Sequence, residues 1–336
     1  MSKKYKATVI SLFLIPTAIT ILAFGYIFDI KNQELQSNKM LIFSGSITQS
    51  ASSLIHTIQI ERGLSAGFLA SKDANKEKLV KQQKITDKFY REFLLLKKKD
   101  EIDFANLIQD QKLFLQIQTE MDKIKTIRKN VLSHSISFND EIKYYSNINT
   151  KLLNLIHNLA VFDTKNSYEG ILIYDIETLK ENLGLERAYI YNQLLSKKPD
   201  EMKFKEIIKL IITQDIIRKK LLLDATPQTK EFYQNYIDTN SLKEMRDFRY
   251  KFLSQQLNSS DAERWFKLST DFIDRHEAVS INILDLYLKN IEQNYDKAQN
   301  IIYIITIFFA LSIILTIILL FTLNNLFNRS KKNKSN

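Results

Sequence analysis

The sequence predicts an all-α fold in which two tandem four-helix bundles lie between two transmembrane helices. Three observations support this prediction: a scarcity of helix breakers, two long apolar segments, and an internal repeat with an offset of about 125 residues. Only 6 glycines and 3 prolines occur among 336 residues. That leaves little room for the turns of a β-sheet or for glycine-rich phosphate loops, so helices are favoured throughout.

The two apolar segments, 7–28 and 301–323, are uncharged, and each has the roughly 20 residues that a helix needs to cross a membrane. The first segment is longer than the apolar region of a signal peptide, which has about 7–15 residues. No convincing small-x-small cleavage site follows it. We therefore interpret the first segment as an uncleaved anchor and the second as a further transmembrane helix.

The two short tails, 1–6 and 324–336, set the expected orientation. They contain seven of the 48 basic residues and no acidic residue. Because positively charged flanks stay in the cytoplasm, both termini are expected inside and residues 29–300 outside, in the periplasm of a two-span bacterial inner-membrane protein. Much of the formal net charge of +10 then belongs to membrane topology. We therefore expect no nucleic-acid partner.

Short polar or proline-containing stretches mark the ends of the predicted helices. They lie at 71–75, 98–100 and 133–137 in the first half, and recur at the repeat offset at 196–200, 224–227 and 258–261. The motif before the first break recurs as well: ERGLSAGFLASK at 61–72 is matched by ERAYIYNQLLSK at 186–197. Turns and motif in the same register indicate an internal duplication.

Each half is long enough for four antiparallel helices, the smallest arrangement that hides the apolar stripe of every helix. One such stripe comprises Phe204, Ile207, Ile208, Ile211 and Ile212. Thr226 before Pro227 predicts one helix start, and Ser260 with Glu263 predicts a capping box at another. The predicted helices lie near 30–71, 75–98, 101–133, 138–165, 167–197, 200–224, 227–257 and 261–300.

Arg62 and Arg187 are the main candidate binding residues. Each follows a glutamate and lies nine residues before the serine that ends its predicted helix. If a pseudo-twofold axis relates the two halves, the two guanidinium groups face each other and repel unless an anion lies between them. A guanidinium forms two parallel charge-assisted hydrogen bonds with a planar oxyanion. The pair therefore predicts a site for a small monovalent oxyanion.

Small residues beside these arginines indicate close packing. Gly63 and Gly67 lie about one helical turn apart, and Gly184 lies just before the second arginine. Each interior glycine costs a helix about 0.8–1 kcal/mol relative to alanine. We expect close approach of another helix or of a ligand to offset that cost. Together with Ser65, these glycines are the candidate supporting positions of the site.

Other interpretations stay open from the residues alone. In one, the arginines are ordinary solvated or ion-paired side chains, with Glu61 or Glu186 as the partner of the opposite arginine. The chain would then be a ligand-free helical module that holds partners in the cell envelope. An enzyme is not supported, because no hydrolase, P-loop or dinucleotide motif occurs. The four histidines lack zinc-ligand spacing and there is no cysteine, so no metal or other cofactor is predicted.

The two arginine segments resemble a known family. IERGLSAGFLAS, at 60–71, is similar to the signature of the nitrate- and nitrite-sensing (NIT) domain, and NLGLERAYIYNQLL, at 182–195, is similar to its second arginine segment. The resemblance covers roughly residues 35–295. It implies a double four-helix bundle in which nitrate or nitrite is held between the bundles by one arginine from each motif, here Arg62 and Arg187.

The resemblance also implies a sensor, in which binding displaces helices that cross the membrane. NIT domains usually precede a linker or an output module, whereas only residues 324–336 follow the second predicted span. A segment that short holds no catalytic or kinase-docking domain. We therefore expect either output through a separate membrane or cytoplasmic partner or a gene that has lost its output module. We also expect a homodimer, as for other two-span receptors of this shape.

Overall fold

The computed structural model describes residues 3–70, 76–99, 111–162, 167–196, 200–237 and 239–332. These residues are almost entirely helical and contain no strand, which confirms the all-α prediction. The helices are α1 (Lys3–Ala70), α2 (Lys76–Lys99), α3 (Gln111–Asp122), α4 (Ile124–Leu132), α5 (Phe138–Phe162), α6 (Ser167–Leu195), α7 (Glu201–Asp224), α8 (Pro227–Tyr236), α9 (Thr239–Leu253) and α10 (Ala262–Lys332).

The chain divides into two compact units, the first of which is formed by residues 1–42 and 289–336. It contains the apolar parts of α1 and α10, and both helices are long and apolar enough to cross a membrane. Their most apolar stretches are not buried by the rest of the protein. Within this unit Phe24 stacks on Phe309 with ring centroids 3.9 Å apart. The two helices are candidate membrane spans, as predicted, while the direction in which they cross stays a prediction.

The second unit, 43–288, contains the residues of both arginine motifs. In it α6 packs against both α5 and α7, and α3 packs on α5. Apolar side chains from α1, α5, α6 and α10 form most of its core, including Ile47, Leu54, Ile58, Leu152, Ile156, Ile173, Ile176, Val279 and Ile283. Because these helices bury a face at i, i+3, i+4 and i+7, helix association is held mainly by the hydrophobic effect.

Local sequence determines several helix ends. Thr226 accepts a hydrogen bond from the backbone N–H of Thr229 at 3.2 Å and Pro227 occupies the first turn of α8, as predicted. The predicted capping box of Ser260 and Glu263 is wrong. The box is formed instead by Asn258 and Asp261, which start a 3-10 turn ahead of α10, so the chain begins to wind two residues earlier.

Four further predictions differ from the structure or fall outside it. The predicted helix at 227–257 is two helices, because α8 ends at Tyr236 and Ile237 adopts non-helical angles. The stripe on α7 is only partly buried: Ile207 is inaccessible, whereas Ile208 and Ile212 are 41% and 55% exposed. The predicted break at 71–75 and the predicted boundary near 166 lie outside the described residues.

The repeat is visible in the register of the helices. α1 ends at Ala70 and α6 ends at Leu195, and α2 and α7 have the same length and the same offset of about 125 residues. The ends of equivalent helices therefore follow the sequence repeat. The grouping of the helices into two separate four-helix bundles stays a prediction.

Candidate functional site

Arg62 and Arg187 are both buried in the second unit, with 0% and 2% of their surface exposed. Arg62 lies on α1 and Arg187 on α6. Burying a guanidinium removes its hydration, which is strongly unfavourable unless other groups replace the lost water. The partners of each arginine therefore decide what this site can do.

Each arginine lies against the other's helix at a glycine. A Cβ atom added to Gly63 would lie 2.8 Å from Nη2 of Arg187, and one added to Gly184 would lie 2.8 Å from Nη2 of Arg62. The two glycines thus leave space for the two guanidinium groups. Gly67 differs, since a Cβ there would lie 3.5 Å from the ring of Tyr191, an ordinary contact.

Ser65, the remaining candidate supporting residue, is fully buried on α1. Its hydroxyl lies beside the phenol of Tyr145, whose pKa is raised well above its usual value by burial and by the charge of Glu61. The phenol donates a hydrogen bond to Glu61 at 2.8 Å. Ser65 therefore belongs to the packing around Glu61.

Arg62 is neutralised by a carboxylate from α6. Its Nη1 and Nη2 donate to the two oxygens of Glu181, with Nη2 3.3 Å from Oε2, and Nη1 also donates to Ser146 at 2.9 Å. The Oε2 atom of Glu181 accepts two further hydrogen bonds, from Gln59 at 3.0 Å and from Asn149 at 2.8 Å. A buried guanidinium and a buried carboxylate thus compensate each other.

Arg187 has only neutral hydrogen-bond partners in the part of the chain that the structure describes. Its Nη1 donates to the hydroxyl of Thr270 at 2.9 Å, and its Nη2 donates to the carbonyl oxygen of Gln59 at 3.0 Å. Its guanidinium also lies 5.2 Å from the ring centroid of Phe266. Burial, and then the charge of Arg62, lower the pKa of Arg187 to about 10, so it stays protonated at neutral pH.

The lack of a carboxylate makes Arg187 unlike the other buried basic residues. Four lysine and arginine side chains are buried among the described residues: Arg62, Arg128, Lys180 and Arg187. The first three form salt bridges with carboxylates. For Arg187 no such salt bridge is found within the described ranges, and the nearby Asp274 is exposed to solvent. One positive charge in the core is therefore left without a bonded counter-charge.

The glutamates of the two motifs do not neutralise the opposite arginines. Glu61 accepts from Nε and Nη2 of Arg128 at 2.8 and 2.9 Å. Glu186 accepts from Nε and Nη2 of Arg249 at 2.7 and 2.6 Å. The alternative in which Glu61 or Glu186 pairs with the opposite arginine is therefore wrong. Both glutamates are instead held by arginines of later helices.

Several buried polar atoms near the two arginines lack a hydrogen-bond partner. They are Nε of Arg62, Nε of Arg187, Oε1 of Gln59, Oδ1 of Asn149 and both carboxyl oxygens of Glu141. Burial raises the pKa of Glu141 well above its usual value, although the nearby charge of Arg62 opposes this, so the protonated acid is favoured. Unpaired buried polar atoms are uncommon in folded proteins. Their concentration here indicates a region that can accept a small polar ligand or water.

Sequence reasoning missed Glu181, Gln59 and Thr270. None of them lies in a motif, and each is brought to the arginines by a helix that is distant in sequence. A comparison of positions across the repeat offers one weak signal. Glu181 corresponds to His56 of the first half, so an acid and a base occupy equivalent positions in two otherwise similar segments.

Comparison with known proteins bears on the family and the fold of this chain. The family model described as nitrate and nitrite sensing matches residues 53–287, and no curated protein matches the chain. Among solved structures, the NasR transcription antiterminator has a similar fold, with a TM-score of 0.69 and 16% sequence identity over 85% of this chain and 83% of that one. At that identity the likeness concerns the fold alone. Because the family match spans most of the sequence, the chain belongs to the nitrate- and nitrite-sensing (NIT) domain family of sensor domains.

Proposed function

We propose that this protein is a membrane-anchored sensor that binds nitrate or nitrite beside Arg187 and Arg62. The family supplies the ligand class. The observation that supports this role for the site is the burial of Arg187 without a carboxylate partner among the described residues, next to a second buried arginine. An uncompensated buried charge is strongly destabilising. A bound anion would remove that penalty.

The charges favour a monovalent anion. Arg62, Arg187 and Glu181 together carry one excess positive charge, which a single negative charge neutralises. Nitrate and nitrite are planar, so two of their oxygens can accept parallel hydrogen bonds from one guanidinium. The hydroxyl of Thr270 is a further donor at the same place. Sulfate carries two charges and loses more hydration on burial, so we expect it to bind less well.

The helices that supply these groups also give the site a route to the membrane. Arg62 belongs to α1 and Thr270 belongs to α10, and both helices continue into the apolar segments. An anion that contacts residues of α1, α6 and α10 at the same time favours one arrangement of these helices over another. The displacement would then reach a partner, within a homodimer or in a separate signalling protein. Its size is limited by the difference in anion affinity between the two arrangements.

The test is thermal unfolding of the purified full chain in detergent, with sodium nitrate, nitrite, sulfate or chloride at constant ionic strength. A ligand that binds only the folded state stabilises it by about 2.7 kcal/mol at one hundred times its Kd. We expect nitrate or nitrite, but not chloride, to raise the Tm. We expect Arg187→Gln to abolish the rise without lowering the Tm of the anion-free protein, because it removes an uncompensated charge.

Arg218→Gln is the matched control. Arg218 is a partly buried arginine of α7 whose Nη2 lies 3.1 Å from Asp215 of the same helix. Its loss changes the net charge equally but leaves the site intact, so the nitrate response should persist. An unchanged nitrate response in Arg187→Gln would overturn the assignment of the site. No response of the wild-type protein to any of the anions would favour the ligand-free structural module.

A further inference from the structure

We propose that Glu181 is a tethered competitor of the anion: its carboxylate occupies Arg62 in the anion-free protein and leaves Arg62 when the anion binds. This inference rests on the proposed function, since it concerns how the same site is regulated. It assigns Glu181 a role as a positioning residue that sets the affinity and couples binding to a change in the contacts between helices.

The geometry around Glu181 is that of an occupied anion site. Four donor groups surround its carboxylate: both terminal nitrogens of Arg62, the amide of Gln59 and the amide of Asn149. Gln59 and Arg62 lie on α1 and Asn149 lies on α5, whereas Glu181 itself lies on α6. The donors are thus arranged around an oxyanion that the protein supplies from another helix.

A carboxylate and nitrate make similar demands on these donors. Both are planar and present two oxygens to one side of a guanidinium, so the fork of Arg62 can bind either in the same way. The two cannot occupy the fork together. A tethered group competes at a high effective concentration, which for short flexible linkers is already in the millimolar range. Glu181 therefore lowers the apparent affinity of Arg62 for a free anion.

The first half of the repeat lacks such a competitor. His56 stands at the position equivalent to Glu181, and burial, followed by the charge of Lys180, lowers its pKa to about 4. It is therefore neutral at neutral pH. Among the described residues, the hydrogen-bond acceptors of Arg187 are neutral, as described above. The anion is thus expected to bind first at Arg187 and to compete with Glu181 for Arg62.

Replacement of Glu181 by the anion at Arg62 changes how two helices are joined. The Arg62–Glu181 ion pair links α1 to α6, and it is replaced when the anion takes the guanidinium of Arg62. The amides of Gln59 and Asn149 can still bind the released carboxylate, so Glu181 is not left without partners. Occupancy of the site therefore changes the bonds between α1 and α6.

The experiment measures nitrate affinity by calorimetry on the full chain in detergent, for the wild type, Glu181→Gln and Asp175→Asn. The Gln variant keeps the size and one acceptor of the side chain but removes the competing charge. We expect its Kd for nitrate to fall about tenfold or more. Asp175 is the matched control, because it is a buried acid of the same helix that pairs with a half-exposed lysine, Lys220. Its replacement should leave the Kd unchanged.

The outcomes separate this inference from the proposed function. Nitrate binding by the wild type, with equal or weaker binding by folded Glu181→Gln, would overturn the competitor role alone. An equal gain in affinity in Asp175→Asn would also overturn it, because net charge would then explain the effect. No nitrate binding by the wild type would overturn the proposed function and this inference with it. If Glu181→Gln does not fold, Glu181→Asp replaces it, since its shorter carboxylate retracts from Arg62 and should also tighten binding.

Discussion

Arg62 and Arg187 occupy equivalent positions in the two halves of the repeat, but different charges surround them. Arg62 is held by the carboxylate of Glu181, whereas the neutral His56 occupies the corresponding position near Arg187. Both arginines are buried to nearly the same extent. Burial alone therefore does not decide their chemistry, and the difference depends on the charges placed around them.

A second pair of equivalent positions shows the same contrast. Glu141 lies near Arg62, and its equivalent in the second half is Phe266, whose ring lies 5.2 Å from the guanidinium of Arg187. A cation over an aromatic face is stabilised without a counter-charge, but only by about 0.5–2 kcal/mol. In both pairs of equivalent positions, the acidic residue lies near Arg62 and its counterpart near Arg187 is not acidic. The contrast teaches that Arg62 is compensated within the protein, and it is consistent with our proposal that Arg187 receives its counter-charge from a bound anion.

Each half also contains a glutamate–arginine pair, formed by equivalent glutamates but by arginines that do not correspond in the repeat. Glu61 pairs with Arg128, and Glu186 pairs with Arg249, each through two hydrogen bonds. Neither pair includes Arg62 or Arg187, so we interpret both pairs as structural.

The largest expected effect tests the structural pairs. Replacing the buried Glu186 by Gln leaves the partly buried guanidinium of Arg249 without its paired carboxylate, and breaking a buried pair costs about 3–5 kcal/mol. Replacing Glu61 by Gln should cost less, about 1–3 kcal/mol. The reason is that Arg128 also pairs with Asp87 at 2.6 Å, and that acid remains. Chemical denaturation of the two variants in detergent measures both losses.

The relative size of the two losses in stability tests the comparison between the two halves. A larger loss for Glu61→Gln than for Glu186→Gln would contradict the view that Asp87 supports the first pair. The variant Asp87→Asn supplies the control, because it should make Glu61→Gln as costly as Glu186→Gln. Neither glutamate contacts the proposed site, so the nitrate response of the folded fraction should persist.

A smaller effect, with a defined pH dependence, is expected at Glu141. Burial, aided by the charge of Glu61 and opposed by Arg62, raises the pKa of Glu141 well above its ordinary 4.5. The folded state therefore retains a proton that the unfolded chain releases, and the wild type loses stability as the pH rises above 4.5. Glu141→Gln has no such proton. It should match the wild type in stability near pH 4.5 and be the more stable of the two proteins near neutral pH.

Unfolding of both proteins across this pH range provides the measurement. His56 and His276, whose pKa values are both lowered to about 4 by burial, change stability in the opposite direction, since they lose it as the pH falls below 6.5. Both histidines are present in both proteins, so the difference isolates Glu141. A difference that does not grow with pH would show that Glu141 is ionised in the folded protein.

Features that depend on neighbouring residues could be predicted from the sequence, whereas contacts between distant residues could not. The helix start at Thr226 and Pro227 could be predicted because both residues act on backbone within one turn. The two arginines could be chosen as candidate binding residues because the repeat places them in similar motifs. Glu181 could not, because its bond to Arg62 joins residues 119 positions apart, and nothing in either segment specifies which acid approaches.

The smallest expected effect concerns the glycines against which the arginine of the other half packs. A methyl group at Gly63 would lie 2.8 Å from Nη2 of Arg187 and 3.2 Å from its Cζ, so the buried guanidinium must shift away from Gln59. The gain in helix propensity, about 0.8–1 kcal/mol, should be offset by the lost contact. Gly63→Ala is therefore expected to change stability by less than about 1 kcal/mol while weakening nitrate binding.

Gly67→Ala is the matched control on the same face of α1, one turn further on. A methyl group there lies 3.5 Å from Tyr191 and displaces nothing, so the full propensity gain of about 0.8–1 kcal/mol should appear. Its nitrate affinity should equal that of the wild type. Denaturation with and without nitrate separates the two variants. Equal nitrate affinity in both would show that the position of the Arg187 guanidinium does not control binding, because only Gly63→Ala displaces that group.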